Sequence, residues 1–224
     1  MTPESYVKAL EKHFANYADE KRAESSAKYM LNQFVYYGLT SPVRRDLSKE
    51  FIAKHGLPED KYLEETARLL WTRKQRELQY FAMEMLEKRI RYLNESHLDL
   101  FEYMILHKSW WDTVDFIAPK LIGAVLRNKK KQIEKSTNKW RKSGNIWLMR
   151  STLLFQLKYK SGTDTNLLFN LIAQYAEEKE FFIRKAIGWV LREHSKTDPK
   201  LIVDFVKKQK MSNLSKKEAL KRII

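Results

Sequence analysis

The sequence predicts an all-α fold, a superhelical array of helix pairs, and three observations lead to it. Only 6 glycines and 5 prolines interrupt 224 residues, and so few breakers favour helices joined by short connections. Apolar residues recur at helical spacing almost throughout, and no stretch alternates convincingly as a strand. Two segments also look like copies. Trp147–Leu157 aligns with Phe181–Leu191, which sets Arg150 against Arg184, 34 residues later. A period near 35 with two helices per unit implies stacked HEAT-like helix pairs, an α-solenoid whose equivalent positions line one concave face.

The elements follow in order, as one domain over residues 1–224. Met1–Leu10 lacks the apolar run of a signal peptide. Gly38–Pro42 reads as a turn, and Ser41-Pro42 as a helix start ahead of Arg44 and Arg45. Gly56–Pro58 is the next break. Residues 75–92 form an amphipathic helix on Leu78, Phe81, Ala82, Met85, Leu86 and Ile90, closed by Asn94–Ser96. Ser109 followed by Asp112 fits a capping box and predicts a helix N-terminus at Ser109. Trp111 and Asp115 then stand one turn apart on one helical face. Breaks at Ser143–Asn145, Ser161–Thr165 and Thr197–Pro199 set off later helices, among them 179–194. The clusters Lys129–Lys131 and Lys139–Lys142 read as solvated faces, and the lysines of 207–217 as a solubilising tail. Trp71, Trp140 and Trp147 belong to the core or to repeat interfaces, and His107 to a helix junction.

Stepping back from Arg150 by 35 residues reaches Asp115, then Tyr80, then Arg45. With Arg184 these make a row of three arginines, a tyrosine and one acid. Such a row suits a groove that follows phosphates and keeps one acid for another purpose.

The charge balance, 43 Lys and Arg against 28 Asp and Glu for a net +15, calls for a polyanion. The basic residues run along the whole chain, which fits a phosphate backbone better than a membrane surface. No cysteine is present, which excludes disulfides, thiolate metal sites and cysteine nucleophiles. The five histidines lack metal-ligand spacing, and no glycine-rich phosphate loop or Gly-x-Ser-x-Gly elbow occurs. No cofactor or metal is expected. A soluble, cytoplasmic monomer is expected, nucleoid-associated if prokaryotic.

Ser109-Trp110-Trp111-Asp112-Thr113-Val114-Asp115 resembles the active-site segment of the AlkD-like DNA alkylation repair family, HEAT-like repeat alkylpurine DNA glycosylases. Asn145–Arg150, Phe181–Arg192 and Ala27–Met30 resemble further segments of that family, in the same order. The resemblance implies that Asp115 is the catalytic carboxylate and that Trp111 and Trp189 are its aromatic walls. It implies that Arg150 lies near the lesion, held as a contact to a neighbouring phosphate, and that Tyr29 contacts the DNA. Arg44, Arg45, Arg184, Lys185 and Arg192 are expected to contact the DNA backbone.

The chemistry agrees with that set. A purine alkylated at N3 or N7 is cationic and leaves its sugar as a neutral base. The sugar develops oxocarbenium character, as in glycoside hydrolysis, but the leaving group needs no acid. One carboxylate suffices to stabilise the sugar cation and orient a water, and indoles add cation–π contacts. The partner implied is double-stranded DNA containing 3-methyladenine or 7-methylguanine. A non-catalytic nucleic-acid-binding scaffold and a protein-binding solenoid are the alternatives.

Overall fold

A computed structural model describes residues 1–223. The chain makes two compact units, one over Met1–Leu100 and one from Phe101 onward. Both are helical, and the strand-like pairing among the described residues is a single bridge between Val35 and Gln75. No helix is long and apolar enough to cross a membrane, among the described residues.

The first unit contains α1 (Pro3–Ala15), α2 (Glu20–Tyr29), α3 (Ser41–His55), α4 (Asp60–Thr72) and α5 (Arg76–Lys88). Ser41-Pro42 does begin α3, with proline in the first turn, where its missing N–H is no loss. The helices close on buried Leu10, Phe14, Leu70, Trp71, Leu78 and Phe81. The segment between α2 and α3 is anchored by Glu77 of α5. Its carboxylate accepts the amides of Tyr37, Gly38 and Leu39 at 3.0, 2.9 and 3.2 Å. Burial pushes the Glu77 carboxyl above its ordinary value, and those amides oppose the rise. Gly38 is left-handed at φ 87°, and a Cβ there would lie 2.1 Å from the Asp19 carbonyl. Only glycine fits that approach.

α6 (Leu98–Leu106) leads into the second unit. There follow α7 (Trp111–Phe116), a π-helical turn at Ile117–Ile122 and α8 (Gly123–Leu126). Then come α9 (Lys130–Arg141), α10 (Ile146–Leu154), α11 (Thr165–Gln174), α12 (Phe181–His194), α13 (Pro199–Lys208) and α14 (Asn213–Leu220). The turn signals of the sequence become caps. Asn145, Asp164 and Asp198 each accept an amide in the first turn of the helix that follows. α7, α10 and α12 pack in succession as one layer, and α9 packs against α10. Leu153, Leu154, Ile172, Ile183, Ile187 and Leu191 lie in the core between them.

The π turn has an identifiable cause. Pro119 stands four residues after Asp115 and cannot donate to its carbonyl, and its ring would crowd that oxygen. The helix widens there, immediately after the turn that carries Asp115.

The period near 35 corresponds to contacts within each unit. Asp115 meets Arg150 across 35 residues, Tyr159 meets the Gly123 carbonyl across 36, and Trp140 meets Glu102 across 38. In the first unit Gly38 meets Glu77 across 39. One repeat step brings a side chain to its neighbour.

Candidate active site

Asp115 lies on α7 with 18% of its side chain exposed, and Arg150 on α10 with 5%. The two form a two-pronged pair. Arg150 Nε donates to Asp115 Oδ1 at 2.8 Å and Nη2 donates to Oδ2 at 2.8 Å. The third prong, Nη1, donates to the backbone carbonyl of Phe182 in the first turn of α12. One guanidinium thus ties three helices together. The carboxylate is the more exposed end of the pair, so its free lone pairs are the ones a ligand can reach. Burial pushes the Asp115 carboxyl above its ordinary value. The hydrogen bonds and charge of Arg150 pull it back, and the charge of Asp112 adds to the rise.

An aromatic cluster joins the starts of the same three helices. Trp110 packs edge-on against Phe182 at 5.4 Å and tilted against Trp147 at 5.7 Å, and Trp147 meets Phe182 at 4.9 Å. Each of the three stands at the start of its helix, α7, α10 or α12. Trp111 and Trp189 are both partly buried. Trp189 follows Phe182 by two turns on the same face of α12 and packs against the apolar core.

Several expectations need correction. The capping box at Ser109 does not form: Ser109 Oγ donates to the Ile105 carbonyl at 2.6 Å, and the helix starts at Trp111 with Trp110 as N-cap. The hydroxyl found a carbonyl at the end of α6 before it could reach forward. Arg150, expected to hold a phosphate, is buried and uses Nε, Nη1 and Nη2 in bonds within the chain. Arg44 of α3 is likewise buried. It donates to both carboxylate oxygens of Glu84 at 2.6 and 2.8 Å, and its guanidinium lies 5.2 Å from the Tyr80 ring. Tyr80 therefore serves an intramolecular stack.

The other basic candidates keep more freedom. Arg45 is exposed and returns Nε to the Ser41 carbonyl at 3.0 Å. Arg184 is partly buried and donates to the Glu178 carbonyl at 2.7 Å. Lys185 and Arg192 converge on Glu218 of α14 at 3.0 and 2.5 Å. Those two cations hold the Glu218 carboxyl below its ordinary value. Tyr29 ends α2 with 74% of its surface exposed. Trp71, Trp140 and Trp147 are buried, and His107 closes α6 by stacking on Tyr103 at 4.2 Å.

Sequence reading missed Phe182, whose carbonyl completes the arginine's environment, and the acids Glu84 and Glu218. A signal for the aromatics was present, since Trp110, Trp147 and Phe182 follow each other at 37 and 35 residues. The charge is also less evenly spread than expected. Residues 1–100 hold 17 Lys and Arg against 16 Asp and Glu, whereas residues 101–224 hold 26 against 12. Nearly all the positive excess belongs to the unit that contains Asp115. Among the described residues no three potential metal-ligating side chains gather.

With this geometry in hand, residues 10–223 match the family described as DNA alkylation repair enzyme. A solved structure described as a "predicted DNA alkylation repair enzyme" from Enterococcus faecalis is 28% identical. It superposes with a TM-score of 0.84 over 92% of this chain and 96% of that one. The crystal structure of smu.31 from Streptococcus mutans UA159, 18% identical, shares the fold at a TM-score of 0.59 over 80% of this chain and 96% of that one. No curated protein matches the chain.

Proposed function

The chain belongs to the DNA alkylation repair enzyme family, and from that premise we propose that it is a monofunctional DNA glycosylase for cationic N3- and N7-alkylpurines in duplex DNA. The observation that carries this reading is the Asp115 carboxylate. It is mostly buried, held by both oxygens on a buried arginine, and offered from its acidic end.

The steps follow from charge. As the glycosidic bond of the cationic base lengthens, positive charge moves onto the sugar. Asp115 stabilises that charge and accepts a proton from the attacking water. Burial strengthens the interaction, because fewer solvent dipoles screen it. Arg150 has a different task from the one the sequence implied. It keeps Asp115 ionised against desolvation and fixes its direction, so little reorganisation is needed when the sugar cation forms. The purine leaves neutral, and no second carboxylate is required. Trp111 and Trp189 would flank the cationic nucleoside, while Tyr29, Arg45, Arg184, Lys185 and Arg192 would follow the backbone. The reading implies methylated duplex DNA as partner, with 3-methyladenine and 7-methylguanine as the released bases.

The closed Asp115–Arg150 pair also fits a second reading, a non-catalytic DNA-binding scaffold in which the pair only joins helices. Base release from methylated duplex DNA separates the two. Wild type should release free alkylpurine, and Asp115→Asn should bind the duplex as tightly with excision lowered at least about 100-fold, the usual scale for a lost charge-stabilising group. Equal excision by both proteins would remove Asp115 from the chemistry.

A further inference from the structure

The lysines of α9 are not explained by the site around Asp115. Lys131, Lys135, Lys139 and Lys142 are all exposed. At 3.6 residues per turn they fall within about 80° of arc and extend about 16 Å along the axis. Lys139 pairs with Glu102 at 2.5 Å, and the other three have no acidic partner among the described residues. The single acid of the helix, Glu134, pairs with none of them.

This arrangement works against the helix that bears it. Like charges three or four residues apart repel on a helical surface. The first turn contains Lys130 and Lys131 and no acid, and the N-cap, Lys129, supplies no side-chain cap, although a helix N-terminus favours negative charge. A stripe that weakens its own helix calls for a polyanion from outside. Sixteen ångströms matches about five phosphates of one strand at 3.4 Å per charge.

The stripe also faces away from the helix that α9 packs against. α9 packs with the face of Ser136, Thr137 and Trp140, all buried, and Trp140 Nε1 reaches Glu102 of α6 at 2.8 Å. The lysines lie about 150° round the helix from that face, away from α10, the helix that holds Arg150. A duplex lying on the stripe has the body of α9, about 10 Å across, between it and α10, and would have to bend around it to reach Asp115 as well. DNA has a persistence length of about 50 nm, and even a 40–90° bend over 20–30 bp costs about 1–6 kcal/mol.

We propose that the α9 lysine stripe binds the phosphate backbone of a second DNA segment while the first lies against Asp115, so that the protein passes directly between duplexes. The proposal rests on the DNA-binding reading above but not on the chemistry at Asp115.

The test uses the full chain with an undamaged, fluorescently labelled duplex. The dissociation rate of the complex is measured against rising concentrations of unlabelled duplex. Wild type should dissociate faster as competitor increases, by at least about tenfold over the range, because the second segment binds before the first leaves. The variant Lys131→Gln/Lys135→Gln/Lys142→Gln should lose that acceleration, with first-duplex affinity and single-turnover excision within about twofold of wild type. Its melting temperature should equal or exceed that of wild type, which separates lost binding from lost folding. A variant of equal net charge, Lys8→Gln/Lys54→Gln/Lys74→Gln in the first unit, should keep the acceleration. Competitor-independent dissociation of wild type, no complex with undamaged duplex, or acceleration retained by the α9 variant would overturn the proposal. Failure of the glycosylase reading appears separately, as equal base release by wild type and Asp115→Asn.

Discussion

At the scale of single residues, the pair of Asp115 and Arg150 bears on both stability and the proposed chemistry. Each neutralises a charge the other could not leave in a buried position alone. Asp115→Ala should therefore destabilise the fold by about 3–5 kcal/mol, the scale for stranding one partner of a buried pair, as read by denaturant unfolding. Asp115→Asn keeps an acceptor for the guanidinium and should lose less. The raised Asp115 carboxyl has a defined consequence for pH. The native state holds this proton more tightly than the unfolded chain, whose aspartates titrate near about 3.9. Stability from this group is thus present at low pH and is lost as pH rises through the window up to the native value. The proposed activity should move in the opposite sense, since that chemistry uses the ionised form. Excision should fall on acidification, at a pH above the ordinary aspartate range. Arg150→Gln removes the group that opposes desolvation, and its acid limb in a pH–rate profile should lie higher than that of wild type.

Among the helices, α12 and α14 approach each other closely at Gly188. A Cβ on Gly188 would come within 2.4 Å of the Glu218 Cβ and 2.9 Å of the Ser215 carbonyl. Gly188→Ala therefore sets two effects against each other. Alanine in a helix interior gains about 1 kcal/mol of propensity, but the overpacking costs about 1–3 kcal/mol, and the opposing backbone carbonyl cannot swing aside. The clash should win, with a lower melting temperature in thermal unfolding. It should also loosen Glu218 from Lys185 and Arg192. The helices themselves were largely legible from periodicity and turn residues, as Ser41-Pro42 and the caps at Asn145, Asp164 and Asp198 illustrate. The start of α7 was not. A capping box is a local pattern, and the Ile105 carbonyl that captured Ser109 belongs to the preceding helix. The π turn was marked by Pro119, yet its value lies in what precedes it, the turn bearing Asp115.

At the scale of the whole molecule, the uneven charge sets the expected binding behaviour. A duplex bound by six to ten phosphate contacts loses about 10³–10⁵ in affinity between 50 and 200 mM salt. The protein should show a steep slope of this kind in a salt titration. Because residues 1–100 are nearly neutral in net charge and residues 101–224 hold the excess, the slope should depend mainly on the second unit. Neutralising Lys8, Lys54 and Lys74 should change it by less than about one unit, since each lost phosphate contact removes about 0.9. A fall of two or more would place the phosphate contacts elsewhere.

The sequence by itself determined the helical class, the 35-residue step and the segment that carries the carboxylate. These depend on local periodicity and on residue types at fixed spacing along the chain. Tertiary structure alone decided which acid each of these cations meets. Arg44, Arg150, Lys185 and Arg192 look alike as unpaired cations in a string of letters. Their acids, Glu84, Asp115 and Glu218, stand 26 to 40 residues away. An ion pair is governed by separation in space and by the water excluded around it, and neither quantity exists until the helices have packed.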